Sequence, residues 1–273
     1  MPLTLESIRE AVSNAGLSGK AVCLHSSLRS FGPVDGGPDT VIDGFLAEGC
    51  TLLVPAFAYG FGVSPPEDPA MRPARNGTTY YDFPPAPPGP PSVYTPESPF
   101  ISRSMGAIPA ALIGREGRVR GGHPLNSFAA LGPLAAELVA GQRPLHVYAP
   151  LEALTRLGGS VVLAGVGLTR MTLLHLAEQR AGRTPFRRWY AGPQGETLMA
   201  EVGSCSEGFD KLEPALAPLI NEQQAGESHW RILPAAQALD AAAAAIRRDP
   251  MITHCGNPGC NRCNDAVAGG PIL

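Results

Sequence analysis

A glycine-bounded apolar segment, residues 158–167, constrains the fold of this 273-residue chain more than any other feature. A short continuous apolar run between glycines predicts a buried β-strand. Residues 172–178 follow it and predict an α-helix, with Thr169 as its N-cap. His175 and Glu178 are three positions apart, so both project from one face of that helix. A histidine and a carboxylate just past the carboxyl end of a buried strand lie where open α/β sheets place ligands and chemistry.

Strand and helix patterns alternate along the rest of the chain. The predicted strands are 21–25, 50–54, 118–121, 127–131, 160–167, 186–191 and 197–202, and the predicted helices are 4–15, 39–46, 133–140, 150–157 and 233–248. The first strand, helix and second strand predict a parallel pair with a crossover, and Pro234 suits the first turn of the last helix. No linker divides residues 1–273, so the sequence predicts a single α/β domain, with a mixed, largely parallel central sheet flanked by helices.

A proline-rich insertion, residues 60–100, interrupts this pattern. No regular helix or strand passes through so many prolines, and we expect a long loop with polyproline character. The loop is either a solvated surface insertion or a lid that forms one wall of a substrate site. Tyr59 and Asp82 lie at its edges and are candidate substrate contacts.

Composition limits the partners of this chain. Charged residues make up only 16% of it, the formal net charge is −3, and no basic block occurs, so we expect no nucleic-acid partner. No signal peptide and no apolar run long enough for a bilayer is visible, so we expect a soluble, cytoplasmic protein without a membrane partner. A homodimer is compatible with the sequence. A few carboxylates would suffice to form a local acidic pocket for a cationic ligand.

A Cys-rich tail, residues 252–265, carries the spacing of a metal site. Cys260 and Cys263 form a C-x-x-C pair of the kind found in structural zinc sites. The further candidate ligands are His254, Cys255 and the distant Cys205. We expect four of these five side chains to bind a structural zinc ion, which would tie the tail to the body of the protein. Reduced free thiols, a redox dithiol and a catalytic zinc centre are the alternatives.

Four blocks of sequence resemble one known family. In chain order they are residues 24–32, 105–109, 123–132 and 163–178, the last with its Leu-His-Leu-Ala-Glu core. In content and order the blocks are similar to those of the aminoglycoside 3-N-acetyltransferases, the antibiotic N-acetyltransferase family. The resemblance implies the α/β antibiotic N-acetyltransferase fold, not the GNAT fold of the larger acetyltransferase superfamily.

The expected chemistry is transfer of an acetyl group to an amine. An amine with a pKa of about 10 is mostly protonated at neutral pH, so it needs a base as it attacks a thioester. A histidine with a pKa of about 6.5 suits this role, and a carboxylate can fix its tautomer and stabilise the imidazolium. The resemblance implies that His175 is that base. Glu178 orients His175, holds a cationic substrate, or forms a structural salt bridge.

The resemblance also implies acetyl-CoA as the donor and an aminoglycoside 3-amino group as the acceptor, hence antibiotic resistance. The candidate donor-binding residues are His25, Ser26, Ser27, Leu28, Arg29, Ser30, His123, Ser127 and Phe128. The candidate acceptor contacts are Tyr59, Asp82 and Glu201. Three alternatives stay open at this point: an acceptor that is another amine-bearing metabolite, a zinc-dependent hydrolase built on the Cys-rich tail, and a binding protein without catalysis.

Overall fold

The computed structural model of this chain describes residues 2–83 and 91–273, apart from the side chain of Asp82. The described strands are β1 Ala21–Ser26, β2 Thr51–Pro55, β3 Gly62–Val63, β4 Val119–Arg120, β5 Phe128–Leu131, β6 Ser160–Ala164, β7 Phe186–Ala191, β8 Thr197–Val202, β9 Asn221–Ala225 and β10 Ser228–Pro234. The described helices are α1 Leu5–Asn14, α2 Pro38–Ala47, α3 Ala107–Ile113, α4 Ala135–Val139, α5 Ala149–Arg156, α6 Leu173–Arg180, α7 Glu213–Leu216, α8 Ala235–Arg248 and α9 Asn261–Val267.

Seven of these strands form the central sheet, in the order β4-β5-β2-β1-β6-β10-β9. β1 pairs in parallel with both β2 and β6, which confirms the predicted crossover through α2. β5 and β10 run antiparallel to their neighbours, so the other five strands of this sheet share one direction. The predicted mixed α/β fold is confirmed. Since β1, β2 and β6 are parallel, their carboxyl ends meet at one edge of the sheet.

Helices cover both faces of the central strands. On β1, Val22 and Leu24 belong to the core that includes residues of α1, α2 and α3, whereas Cys23 belongs to the core with α4, α5, α6 and α8. This alternation follows from the two-residue repeat of a strand. Burial on both faces explains why the central strands read as continuous apolar runs. Each large apolar side chain buried there stabilises the fold by about 1.5–3 kcal/mol.

The segment from β6 to α6 differs from the prediction in two details. The strand ends at Ala164, because Gly165 adopts a left-handed backbone conformation with φ of +67°. A Cβ at Gly165 would collide with the Ser30 hydroxyl, so the close approach of two turns also requires glycine. Thr169 is not the N-cap: it lies in a short 3₁₀ turn, and Thr172 precedes the first residue of α6.

A second sheet, β3-β7-β8, includes two residues of the insertion, Gly62 and Val63. The insertion is therefore not wholly irregular, since Gly62–Val63 pairs with β7. Asn76 binds the backbone of Arg187 in β7 with both ends of its amide. The rings of Tyr80 and Phe83 pack edge-on against Trp189. These contacts fasten residues 76–83 to the second sheet, and residues 84–90 lie outside the described part of the chain.

The predicted hairpin of β7 and β8 is confirmed, but the β9–β10 hairpin was missed. β9 is polar and largely exposed at the sheet edge, so its sequence, Asn-Glu-Gln-Gln-Ala, has no strand-like apolar alternation. Pro234 ends β10 and does not open the helix, which begins at Ala235. In the described ranges, every helix is too short or too polar to cross a bilayer. The assignment of residues 1–273 to a single domain stays a prediction.

Candidate functional site

A cleft of about 1150 Å³ opens at the carboxyl ends of β1 and β6. One wall is the turn after β1, and the opposite walls come from α6, the second sheet and the loop after β8. Four described residues of the insertion, Gly62, Val63, Ser64 and Phe83, contribute to the lining. The described part of the insertion therefore forms part of a cleft wall, and its role as a wall of a substrate site stays a prediction.

The predicted pair of His175 and Glu178 forms at the bottom of this cleft. His175 Nδ1 lies 3.0 Å from Glu178 Oε2, as helical i, i+3 spacing predicts. An ionised carboxylate only accepts hydrogen bonds, so Nδ1 carries the proton and Nε2 is left with its lone pair. No hydrogen bond to Nε2 occurs within the described part of the chain. His175 lines the cleft, so this nitrogen is available to a ligand.

Glu178 is buried, with 5% of its surface exposed, and both of its carboxylate oxygens accept hydrogen bonds. Oε1 accepts a 2.5 Å bond from Arg183 Nη1 and a 3.4 Å bond from the Thr253 hydroxyl. Oε2 accepts a 2.5 Å bond from the Ser204 hydroxyl, in addition to His175. Burial by itself raises the pKa of Glu178. The hydrogen bonds from His175 and Ser204 and the charge of Arg183 together outweigh burial, so the pKa of Glu178 is lowered overall. The carboxylate therefore stays ionised at neutral pH.

Aromatic rings and a glycine hold the His175 imidazole in place. The Tyr148 ring stacks parallel to it at 6.1 Å, and the Phe209 ring meets it edge-on at 4.8 Å. Gly203 lies against the same ring, because a Cβ there would sit 3.0 Å from Nε2 and 2.8 Å from the Tyr148 hydroxyl. A side chain at position 203 would require the Tyr148 hydroxyl or the imidazole to shift. No sequence motif pointed to Tyr148, Gly203, Ser204 or Arg183.

The turn after β1 supplies most of the predicted donor-binding residues to the cleft. His25, Ser26, Ser27, Leu28 and Arg29 all line it. Burial lowers the pKa of His25 to about 4, so its ring is neutral. The Ser26 hydroxyl is buried and has no hydrogen-bond partner among the described residues. Ser30 does not line the cleft: its hydroxyl bonds the backbone oxygen of Ser27 and the side chain of Ser228.

The prediction for His123, Ser127 and Phe128 needs correction, because the structure buries all three outside the cleft. His123 Nε2 donates to the backbone oxygen of Glu201, and its Nδ1 accepts from the amides of Leu125 and Asn126. Ser127 bonds Arg120 and the backbone oxygen of Ala56, and Phe128 packs in the core of β5.

These three residues fold the turn between β4 and β5. Their neighbours Leu125 and Asn126 line the cleft in their place. The buried Asn126 Oδ1 has no hydrogen-bond partner within residues 2–83 and 91–273.

The predicted acceptor contacts have three different outcomes. Tyr59 lines the cleft and is 52% exposed. Glu201 does not reach the cleft: it is 7% exposed, lies 3.4 Å from Arg187 and accepts a bond from the backbone of Val147. The side chain of Asp82 lies outside the described residues. Glu207 is an exposed carboxylate in the cleft wall that the sequence interpretation missed, although it lies only two residues past the candidate ligand Cys205.

Arginine side chains give the cleft wall a net positive charge. Arg29 and Arg170 follow the two central strands β1 and β6, Arg188 lies on β7, and Arg262 lies on α9. Arg29, Arg170 and Arg262 are exposed and make no ion pair in the described ranges. Cations without protein partners favour an anionic ligand such as a phosphate.

The four cysteines Cys205, Cys255, Cys260 and Cys263 come together beside the cleft, and we call them the four-cysteine group. Their sulfur atoms all lie within 4.8 Å of one another, and none forms a disulfide. The backbone N–H of Cys255 donates to the Cys263 sulfur at 3.3 Å.

His254, the fifth candidate ligand, does not join the four-cysteine group. Its Nε2 bonds the side chain of Asn264, and its Nδ1 accepts from the amide of Gly256. Both ring nitrogens are therefore engaged in holding the turn.

Comparisons with known proteins agree with this architecture. A family model described as Aminoglycoside 3-N-acetyltransferase matches residues 23–247. Aminoglycoside N(3)-acetyltransferase IX of Micromonospora chalcea is 36% identical over 188 residues, which are 66% of this chain and 63% of that protein. The aligned region thus spans less than two thirds of that relative's length.

Two solved structures share the fold. A mutant of aminoglycoside acetyltransferase AAC(3)-IVa in complex with a gentamicin has a TM-score of 0.75 and 24% identity, over 98% of both chains. AAC-IIIb in a binary complex with CoASH has a TM-score of 0.72 and 23% identity, over 91% of this chain and 97% of that one. With the family model matching most of its length, the chain belongs to the aminoglycoside 3-N-acetyltransferase family.

Proposed function

We propose that this protein is an acetyl-CoA-dependent N-acetyltransferase that acetylates the 3-amino group of an aminoglycoside. The observation that carries the proposal is the His175 imidazole in the cleft, with Nδ1 bound to the buried Glu178 and Nε2 free. The similarity to the N(3)-acetyltransferase of Micromonospora supports the reaction. The gentamicin and CoASH complexes of the structural neighbours support the two ligand classes.

His175 acts as the general base in this reaction. The acceptor reacts as the neutral amine, after its ammonium proton has passed to solvent. Its nitrogen attacks the thioester carbonyl carbon while Nε2 removes one of the two remaining protons, and Glu178 stabilises the imidazolium that forms. The C–S bond then breaks, the amide is released, and the proton on Nε2 passes to the departing CoA thiolate. Glu178 orients His175 and does not bind the acceptor, because its two oxygens are fully engaged by protein donors.

The wall formed by β1 suits the donor. Ser26 offers a hydroxyl without a partner among the described residues, which can donate to the thioester oxygen as negative charge develops there. Arg29 and Arg170 stand at the ends of the adjacent strands β1 and β6, where their guanidinium groups can bind the phosphates of CoA. The cleft therefore offers a hydrogen-bond donor and cations in the arrangement that a large anionic thioester requires.

The acetyl group passes directly from donor to acceptor in a ternary complex. Cys23 lies in strand β1 and Cys50 directly precedes strand β2, and both residues are fully buried. Burial raises the pKa of both thiols, so neither forms a thiolate nucleophile at neutral pH. The free nitrogen of His175 makes a covalent intermediate on cysteine unnecessary.

We also propose that the four-cysteine group binds a structural zinc ion. Tetrahedral zinc with Zn–S bonds of about 2.3 Å places its sulfur ligands about 3.8 Å apart, which agrees with sulfurs that all lie within 4.8 Å. The N–H bond from Cys255 to the Cys263 sulfur supports a ligand in the thiolate form. Four cysteines fill the four coordination positions and leave none for water, which disfavours the alternative of a zinc-dependent hydrolase.

Acetyl-CoA turnover against a panel of aminoglycosides tests the main proposal. We expect CoA release with compounds that have a free 3-amino group and little release with matched compounds that lack it. His175→Ala should lower kcat by roughly 10³-fold, whereas His229→Ala, at an exposed histidine on β10, should leave it unchanged. Equal turnover by wild type and His175→Ala would refute the mechanism.

Metal analysis after metal-replete expression should find one zinc per chain, and a value near zero would refute the zinc site.

A further inference from the structure

The four-cysteine group lies directly beside the catalytic pair. Cys205 is adjacent in sequence to Ser204, whose hydroxyl donates to Glu178 Oε2 at 2.5 Å and lies 3.3 Å from His175 Nδ1. The preceding residue, Gly203, lies in contact with the His175 ring. One short loop, residues 203–206, thus carries both a metal ligand and the hydroxyl that bonds the orienting carboxylate.

Besides the side-chain contact of Ser204 and the packing of Gly203, this loop has few hydrogen bonds to hold it. Residues 203–206 belong to no helix or strand, and within the described ranges their one backbone–backbone hydrogen bond is from the amide of Phe209 to the oxygen of Ser206. The Ser204 hydroxyl must nevertheless stay within hydrogen-bond distance of Glu178. A covalent tether at Cys205 would supply the missing constraint.

The partners of Cys205 come from the Cys-rich tail, which packs on the other side of the same carboxylate. The Thr253 hydroxyl donates to Glu178 Oε1 at 3.4 Å and accepts a 2.7 Å bond from Arg183. Arg183 also donates to the backbone oxygen of Pro250, and Lys211 donates to that of His254. The start of the tail is therefore fixed to the body by ordinary hydrogen bonds, and its cysteines are presented to Cys205.

Three of the four cysteines lie beyond residue 247, where the match to the family model ends. Arg262, between the last two cysteines, lines the cleft. The tail thus lies outside the region that the family model matches, and it reaches both the cleft and the buried carboxylate. Its metal ligands are separated from the catalytic helix in sequence and are joined to it through Ser204 and Thr253.

We propose that zinc in the four-cysteine group holds loop 203–206 so that the Ser204 hydroxyl stays on Glu178, which makes Ser204 a metal-dependent positioning residue for the general base. The inference rests on the proposed zinc site and on the proposed acetyl transfer. It assigns the metal no contact with either substrate. Loss of the metal should lower kcat, because the Ser204 hydroxyl no longer stays on Glu178.

A double-mutant cycle on the full-length protein tests the coupling. Ser204→Ala should lower kcat about 10-fold, as expected for a lost hydrogen bond to a charged group. Cys260→Ser should release zinc and lower kcat by a similar factor, whereas the control Cys50→Ala, outside the group, should do neither. The double variant should fall less than about 2-fold below Cys260→Ser, because without the metal the hydroxyl no longer stays in place.

Three outcomes would overturn the inference. They are a zinc-free Cys260→Ser with wild-type kcat, a double variant whose loss is the product of the two single losses, and a wild-type chain that holds no zinc. If Cys260→Ser does not fold, chelator-treated wild type and Ser204→Ala complete the same cycle, with zinc added back as the control.

Hydrogen exchange separates this inference from the proposed activity. In Cys260→Ser the amide of Phe209, which donates to the backbone oxygen of Ser206, should exchange about 10-fold faster or more, whether or not any amine is acetylated. Unchanged exchange at this amide would contradict the inference by itself. Wild type that releases no CoA with any amine would refute only the acetyl transfer.

Discussion

The His175–Glu178 pair and the four-cysteine group lie side by side, yet their geometry is held in different ways. His175 and Glu178 belong to one helix, whose period sets their separation before any other part of the chain is in place. The four cysteines come from loop 203–206 and from a tail that lies far beyond it in sequence, so only tertiary structure or a bound ion brings them together. The His175–Glu178 pair is therefore positioned by a single helix, whereas the four-cysteine group next to it is assembled from a loop and the tail.

The two regions meet at Glu178, so removing its charge should have the largest effect. Glu178→Gln should lower kcat by roughly 10³-fold, because the amide no longer fixes the Nδ1–H tautomer or stabilises the imidazolium. It also leaves the buried Arg183 without a counterion, which should lower the free energy of unfolding by about 3 kcal/mol.

Turnover and urea unfolding at pH 7 measure the two effects of Glu178→Gln. Glu152→Gln is the control, since that carboxylate is a third exposed and its partner is the surface residue His146. A Glu178→Gln variant with nearly normal kcat would show that Glu178 serves the structure alone.

The buried His123, in the body of the protein, should make the free energy of unfolding depend on pH, and the Cys-rich tail should not contribute to this dependence. Burial lowers the pKa of His123 from 6.5 to about 4, since a proton on Nδ1 would face two amide N–H donors. The unfolded chain binds that proton near pH 6.5 and the folded chain near pH 4. The stability from His123 is therefore complete above pH 6.5, and up to about 3 kcal/mol is lost as the pH falls to 4.

Denaturant unfolding at pH 7 and pH 4.5 measures this loss. His123→Asn should flatten the difference in unfolding free energy between the two pH values, and His229→Asn, at an exposed site, should not. A slope that is the same in all three proteins would contradict the assignment.

The turn after β1, which we propose binds the donor, should affect kcat independently of the Cys-rich tail, and removal of one hydroxyl tests this. Ser26→Ala should lower kcat by about 10²-fold if its unpartnered hydroxyl stabilises the developing oxyanion. Ser30→Ala removes a hydroxyl that bonds protein groups and lies outside the cleft, so it should affect stability and not kcat. Steady-state kinetics and thermal unfolding distinguish the two. Equal kcat in Ser26→Ala and wild type would remove Ser26 from the reaction.

The smallest effect is expected at the acceptor side, next to Cys205 of the four-cysteine group. Glu207→Gln should raise the KM for a polycationic aminoglycoside up to about 5-fold, since an exposed ion pair is worth at most about 1 kcal/mol. The KM for acetyl-CoA should stay the same. Glu222→Gln, an exposed carboxylate on β9 outside the cleft, is the control. An unchanged KM for the aminoglycoside would place the cationic acceptor elsewhere in the cleft.

Sequence patterns predicted the elements that local periodicity encodes. The buried strands β1, β2 and β6, the β7–β8 hairpin and the His175–Glu178 helix all follow from apolar runs and glycine punctuation within a few residues of each position. The His25–Arg29 turn lies in the cleft, as predicted, because it directly follows β1 at the edge where the carboxyl ends of the parallel strands meet. The C-x-x-C spacing predicted a metal group from local chemistry.

Contacts between distant segments were not predictable in this way. His123 and Glu201 read as ligand-binding residues, yet they bind protein groups from other segments. Ser204, Tyr148 and Arg183 surround the catalytic pair with no motif of their own. Their roles depend on where β8 and the second sheet dock against α6.

The sequence by itself determined the strand-to-helix unit that presents His175 and Glu178, because period and spacing act over a few residues. Only the tertiary structure decided that Glu178 is buried between Arg183, Ser204 and Thr253, and that the four cysteines converge next to it. The physical reason is that burial and hydrogen bonding depend on which segments pack together, and no local pattern encodes that choice. Local sequence thus determines the position of His175 and Glu178 on one helix, and the whole fold determines which residues surround them.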